Sequence, residues 1–411
     1  MKAKSVKRKS RRNLRLPIAA LVACLFQASL ATAEVRITQN ARINGQPVKL
    51  GFDTGSERTC LFMPAARRLG LKVTFPSPAG KAPPGKVLAG SSEECEFSLP
   101  GITMTTKLWV YDPPQGISMD VDGVLAWHTV SDHIFRMSLE TNSVIILPAL
   151  PDDIASWTKR PIGPHKVLTM EVSEPDGGRG LILIDTGALS GVQLNSQRWR
   201  QWREGHRDLP ATPVAFFAPG SGLLIREECW ADKLDIGRFS IADVPVTQGR
   251  PDGESFIPTG WEATLGPFGL SRFEVIIDGA AGNLYMRPVS TPPRPYSHNR
   301  LGAVFTPGKD LAGEELVGYV VEGSPAYLAG IRGGDVLLSI DELDVTKWRT
   351  DPRVLPLSRF WERPAGTRLH LALQRQTRRF ECVVALRDIL CPRPFEPGPP
   401  PTAEEAAERT R

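Results

Sequence analysis

From residue 35 onward, apolar and polar positions alternate over short spans broken by Gly, Pro, Asn and Asp, which predicts strands and turns rather than long helices. Arg36-Ile37-Thr38 and Arg42 to Val48 read as a hairpin turning at Asn44-Gly45, a dipeptide that tolerates the positive φ of tight turns. Pro64 to Gly70 predicts one or two helical turns with Gly70 as the stop. Ser77 to Gly90, rich in Pro, Gly and Lys, predicts a loop or hairpin tip. Strands are expected at Glu94–Leu99, Ile102–Met104, Leu108–Tyr111, Asp122–Trp127 and Val144–Leu147, and Pro148 to Pro164 is a proline-spaced connector. The same order then returns. Val167–Val172 turns at Asp176-Gly177-Gly178 into a second apolar strand. Ser196 to Gly205 is helical, and Pro213–Phe217 leads into a second tip at Pro219–Gly222. A strand opens at Glu228, Leu234–Ile241 echoes Phe97–Met104, and strands follow at Phe273–Asp278 and Asn283–Met286.

The repeat carries a motif. Val48 to Phe52 and Gly180 to Ile184 are apolar strands that each run into Asp-Thr-Gly, at Asp53-Thr54-Gly55 and Asp185-Thr186-Gly187. Glu94-Cys95 and Glu228-Cys229 follow at matching distances, as do the steps Leu125-Ala126 and Leu265-Gly266. Two tight turns would explain the Asp and Gly, but not their recurrence in register. Residues 35–148 and 165–288 therefore read as two copies of one β lobe. Paired carboxyls matter chemically: two held close together share one proton, so one can activate water while the other polarises a carbonyl.

The net charge of +5 changes the picture little. Lys2, Lys4, Lys7, Arg8, Lys9, Arg11, Arg12 and Arg15 fall within residues 1–33, which hold no acid, so the rest of the chain is net acidic and offers no case for nucleic acid. That basic run, the apolar run from Leu16 to Leu30 and Ala31-Thr32-Ala33 predict a signal peptide over 1–33 and an exported, periplasmic or extracellular protein. Leu21-Val22-Ala23-Cys24 resembles a bacterial lipobox, leaving open a lipoprotein anchored through Cys24, and Ser10 to Leu14 resembles a twin-arginine signal. Beyond the signal, Cys60, Cys95, Cys229, Cys382 and Cys391 are odd in number, with Cys60–Cys95 and Cys382–Cys391 as candidate pairs. No Cys-x-x-Cys or His-Glu-x-x-His occurs, and His128 and His133 have no third ligand in view, so neither metal nor other cofactor is expected. No Gly-x-Ser-x-Gly elbow points to a serine hydrolase. Trp199 and Trp202, flanked by Arg198, Arg200 and Arg203, read as core contacts at helical spacing.

The doubled Asp-Thr-Gly with its apolar prefix resembles retropepsin-type aspartic peptidases, fused into one chain as in the pepsin-like enzymes. The resemblance implies a mainly β fold of two tandem lobes with a pseudo-twofold axis, and an expected monomer. It implies that Asp53 and Asp185 hold the attacking water, that Thr54 and Thr186 bond across the lobe interface, and that Gly55 and Gly187 leave room for the substrate backbone. The tips near Pro83–Gly90 and Pro219–Gly222 would be flaps. Two departures stand out: Ala126 replaces the family Gly, which predicts slight crowding, and neither tip holds an obvious flap Tyr.

Pro292 to Pro295 mark a stiff linker over 289–299. Residues 300–390 resemble a bacterial PDZ domain, an α+β unit, most specifically from Gly323 to Ile340. There Ser324 caps a short helix ending at Gly330, and Gly334-Asp335 turns into a strand; Glu342 replaces a usual turn Gly. Arg368–Gln374 and Phe380–Leu386 are the expected closing strands. The resemblance implies that Leu301, Gly302 and Ala303 form a carboxylate-binding loop, with Ala303–Phe305 pairing a C-terminal peptide ligand. Residues 391–411 read as a disordered tail. The function expected is an exported aspartic endopeptidase acting on a peptide or protein substrate. The alternative is an inactive peptide-binding pseudopeptidase or scaffold of the cell envelope.

Overall fold

The computed structural model describes residues 37–75, 88–112, 121–139, 142–188, 191–218, 222–249, 260–289, 295–307, 313–351 and 353–390. The expected signal peptide, Cys24, most of both flap tips, Pro292–Arg294, Cys391 and the tail lie outside these residues. Among the described residues no helix is long and apolar enough to cross a membrane.

The first lobe runs through β1 (Thr38–Ile43), β2 (Gln46–Asp53), β3 (Cys60–Phe62), α1 (Met63–Arg68), β4 (Val73–Thr74), β5 (Leu88–Leu99), β6 (Ile102–Asp112) and β7 (Gly123–Ala126). Asn44 and Gly45, at φ 49° and 76°, make the predicted turn between β1 and β2. β8 (Ile134–Ser138), β9 (Ser143–Leu147) and β10 (Thr158–Pro161) follow. The second lobe holds β11 (Thr169–Ser173), β12 (Arg179–Ile184), β13 (Val192–Leu194), α2 (Ser196–Gly205), β14 (Ala211–Ala218), β15 (Gly222–Ile236), β16 (Phe239–Gln248), β17 (Trp261–Leu265), α3 (Pro267–Leu270), β18 (Phe273–Asp278) and β19 (Asn283–Pro288).

The duplication is explicit in the sheets. The first lobe orders its strands β1-β2-β7-β3-β6-β5-β4, and the second β11-β12-β17-β13-β16-β15-β14, which is the same path strand for strand. In both, the strand that delivers the Asp runs parallel to the strand ending in the apolar step, β2 beside β7 and β12 beside β17. A third sheet, β10-β19-β18-β8-β9, takes strands from both lobes. Its central pairing joins Ile134–Met137 of β8 to Val275–Asp278 of β18. Phe52 on β2 meets Phe135 on β8 edge-on at 5.5 Å, so one apolar core runs through both lobes. Such shared burial makes the lobes a single packed unit.

Several expectations need correction. Ile102–Met104 and Leu108–Tyr111 are one strand, β6, paired with β5 along nearly its whole length, and residues 88–90 already belong to β5. The connector holds a 3₁₀ turn (Asp152–Ser156) and β10, which pairs with β19. Cys60 and Cys95 do not form a disulfide: both are buried thiols. β6 lies between their strands, with Cys60 opposite Trp109 and Cys95 opposite Thr106. Two strand spacings of about 4.8 Å exceed the reach of a disulfide.

Trp199 is buried in the core, and Trp202 stacks on it at 5.7 Å. Arg198 is held by Glu174 and Glu262, both at 2.5 Å, and these bonds together hold its guanidinium above the usual pKa against the opposing effect of burial.

The last unit has its own core. It comprises β20 (Ala303–Thr306), β21 (Leu316–Val320), α4 (Pro325–Leu328), β22 (Val336–Ile340), β23 (Leu343–Asp344), α5 (Ser358–Trp361), β24 (Arg368–Arg375) and β25 (Arg378–Ala385). Ser324 caps α4 as expected, its Oγ accepting from the Tyr327 N–H at 3.2 Å. Asp341, at φ 51°, supplies the left-handed turn residue just before Glu342, so the turn forms without the usual Gly.

Candidate active site at the lobe interface

β2 and β12 end at Asp53 and Asp185, and the Thr-Gly turns that follow meet across the interface. The Thr54 N–H donates to Thr186 Oγ1 at 3.1 Å, and the Thr186 N–H donates to Thr54 Oγ1 at 3.1 Å. Each hydroxyl then donates into the other lobe's strand, Thr54 Oγ1 to the Ile184 carbonyl at 2.6 Å and Thr186 Oγ1 to the Phe52 carbonyl at 2.5 Å. Thr54 is fully buried and Thr186 nearly so. Thr supplies both a donor and an acceptor from one oxygen, which this reciprocal arrangement requires.

Each carboxyl is held by its own turn, with the Gly55 N–H donating to Asp53 Oδ1 and the Gly187 N–H to Asp185 Oδ1, both at 2.9 Å. Each also abuts the opposite turn. A methyl at Gly55 would lie 2.4 Å from Asp185 Cγ, and one at Gly187 would lie 2.6 Å from Asp53 Oδ2. The two glycines are therefore pressed between the carboxyls, and only a residue without Cβ allows this approach. Asp53 and Asp185 are each 5% exposed, so the interface brings together all six expected residues around a pair of nearly buried carboxyls.

Ala126 is completely buried opposite Asp53, and its N–H donates to Thr59 Oγ1 at 3.0 Å. Thr59 in turn bonds Thr129 Oγ1 at 2.7 Å. In the second lobe Gly266 donates instead to the Gly191 carbonyl at 2.8 Å. The first lobe thus accommodates Ala126 with a side-chain acceptor where the second uses backbone. Thr59 was not singled out in the sequence, because nothing local links it to residue 126. Gly123 was likewise missed: a methyl there would lie 2.1 Å from the Cys60 carbonyl, so the close packing of β7 on β3 depends on it. Among the described residues no group of three or more His, Cys, Asp or Glu is placed to hold a metal.

Comparison with known proteins gives two family matches. Residues 39–128 match the family described as aspartyl protease, and residues 316–375 match the family described as PDZ domain. The chain joins a retropepsin-like aspartyl protease domain to a PDZ domain. The aspartyl protease match contains Asp53 and ends before Asp185; the second lobe's likeness rests on its repeated topology. No curated protein matches the chain. Among solved structures, the EIAV protease complexed with the inhibitor HBY-793 is similar at 22% identity, covering 25% of this chain and 90% of that one, with a TM-score of 0.19.

In the PDZ domain, Leu301 and Gly302 precede β20, and Ala303 begins it. Gly302 sits at φ +71°, and a methyl there would lie 2.2 Å from Ser324 Cβ, so this turn demands Gly. The N–H groups of Leu301 and Gly302 converge on one acceptor, Asn299 Oδ1, at 3.0 and 3.1 Å. Asn299 was not among the expected site residues. Its only local signal is a side chain able to bond the backbone two residues ahead.

Proposed function

We propose that the chain is an exported aspartic endopeptidase in which Asp53 and Asp185 act on one water, and that its PDZ domain receives the C-termini of substrates or partners. The observation that carries this reading is the crossed packing of Gly55 on Asp185 and of Gly187 on Asp53. A fold that merely needed two tight turns would have no use for two nearly buried carboxyls, each packed on the other lobe's Gly turn.

In the proposed reaction the pair holds a single proton. The ionised carboxyl takes a proton from water as the oxygen attacks the peptide carbonyl, and the protonated carboxyl donates to the carbonyl oxygen. Breakdown of the resulting diol returns a proton to the leaving nitrogen as the C–N bond breaks. The threonine bonds fix the spacing on which this exchange depends. PDZ domains bind peptides and proteases act on peptides, so the two parts of the chain address the same class of molecule.

The test is cleavage of a peptide library by the purified protein across a pH series. Asp53→Asn and Asp185→Asn are each expected to lower turnover by about 10²–10⁴-fold while leaving the circular dichroism spectrum unchanged. The parent protein should show a bell-shaped profile. Substantial turnover by either variant, or a rate that keeps rising above neutral pH, would overturn the assignment.

A further inference from the structure

The carboxylate loop of the PDZ domain is already occupied by a residue of the same chain. Asn299 is 5% exposed, and its amide uses every bonding position it has. Oδ1 accepts from the Leu301 and Gly302 N–H groups, as a terminal carboxylate would. Nδ2 donates to the Ala303 carbonyl at 2.9 Å, as the N–H of a peptide's last residue would. The second Nδ2 hydrogen reaches out of the PDZ domain to the Pro213 carbonyl at 2.9 Å, and the Asn299 carbonyl accepts from Thr212 Oγ1 at 2.7 Å.

Thr212 and Pro213 belong to β14, the outermost strand of the second lobe's sheet. β14 lies against β20 without pairing with it. Neighbouring linker residues fasten the same seam. The Tyr296 hydroxyl donates to Glu228 at 2.8 Å, and His298 Nε2 accepts the N–H groups of Ile389 and Leu390 at 3.2 and 3.4 Å.

We infer that Asn299 is a built-in occupant of the PDZ carboxylate site, and that a peptide C-terminus entering the loop displaces it and unties β14 from the PDZ domain. The inference rests on reading Leu301–Ala303 as a carboxylate site. An incoming carboxylate takes over the two N–H donors, and the last peptide N–H takes over the Ala303 carbonyl. The Asn299 amide must then leave, and the Pro213 carbonyl on β14 loses its donor. Ligand occupancy in one domain is thereby transmitted to an edge strand of the other through a single side chain. Coupling of this kind is reciprocal, so whatever loosens β14 also favours ligand binding.

The experiment uses the full chain and a pool of hexapeptides with apolar C-terminal residues, in free-acid and C-terminally amidated forms. Binding is read by fluorescence anisotropy, and order in residues 211–218 by hydrogen exchange. The free-acid pool is expected to bind and to speed exchange in 211–218, while the amidated pool does neither. Asn299→Ala should bind the free-acid pool about 5- to 30-fold more tightly, because the competing amide is gone, and its 211–218 exchange should be fast before peptide is added. Asn299→Asp separates the two halves of the idea: its carboxylate still fills the loop, so affinity does not rise, but it lacks the donor to Pro213, so exchange is fast. Peptide binding that leaves exchange in 211–218 unchanged, or an Asn299→Ala affinity equal to the parent's, would overturn the coupling and leave the carboxylate site standing. Absence of binding by both the parent and Asn299→Ala would overturn the site itself, and the inference with it.

Discussion

Replacing Thr54 by Val keeps the shape of the side chain and removes the oxygen on which the lobe interface turns. Two bonds are lost, the donation to the Ile184 carbonyl at 2.6 Å and the acceptance from the Thr186 N–H at 3.1 Å. Neither group can turn to water, since Ile184 is fully buried and Thr186 is 3% exposed. Stranding a buried donor or acceptor costs about 1–3 kcal/mol, and with partial relaxation the loss is about 2–4 kcal/mol. At 1.4 kcal/mol per factor of ten, local opening becomes roughly 30- to 700-fold more frequent. Hydrogen exchange measured by mass spectrometry on fragments spanning residues 52–56 and 184–188 reads this directly, because the Thr186 amide is itself one of the affected donors. Thr54→Ser, which keeps the hydroxyl, should stay within a few-fold of the parent. Exchange in Thr54→Val within twofold of the parent at both fragments would refute the claim that these hydroxyls hold the lobes together.

Other expectations follow from the same contacts. Gly187→Ala places a methyl 2.6 Å from Asp53 Oδ2, so the carboxyl must shift; on the proposed reaction, kcat should fall at least about 100-fold, whereas unchanged kcat would mean that the carboxyls need not be in contact with the turns. Burial, aided by Arg300, lowers the His298 pKa to about 4 against an ordinary 6.5. The unfolded chain therefore binds more protons between those values, and the PDZ domain's stability is complete above about pH 6.5 and falls by roughly 3 kcal/mol as pH drops to 4. Urea midpoints should show this slope and lose it in His298→Gln; a parent midpoint flat from pH 7 to 4 would contradict it. Burial pushes the thiols of Cys60, Cys95 and Cys229 up, Cys229 to about 12. Iodoacetamide should therefore leave these three unmodified in the native protein and label them after unfolding, and rapid native labelling of any of them would show that its strand opens easily.

The features legible in the sequence are those built from local chemistry. Each Asp-Thr-Gly is a strand end and a turn, and Ser324 to Gly330 is a cap, one helical turn and a left-handed stop. Each of these is specified within about ten residues. The elements that were missed owe their form to remote partners. β10, Thr-Lys-Arg-Pro, has no apolar position and exists as a strand because β19 offers an edge to it. β8 alternates in burial only because β18 and β9 flank it, and β18 lies in the other lobe. The sheet order that separates Cys60 from Cys95 is likewise a property of the assembled lobe. Asn299 combines both cases: its bonds to Leu301 and Gly302 are local, but those to Thr212 and Pro213 cross a domain boundary.

The sheet shared by the lobes sets a timetable. Arg136 of β8 and Glu274 of β18 meet across it and stand 138 residues apart. A ribosome adding about 5–20 residues per second needs roughly 7–28 s to make the second after the first. Throughout that interval the edge of β8 is bare and Asp53 has no counterpart, since the threonine contacts that bring the carboxyls together span 132 residues. The crossed threonine contacts form only once the second lobe has been made. On the proposed reaction, the paired site is therefore assembled late in synthesis, an order set by the strands of the shared sheet.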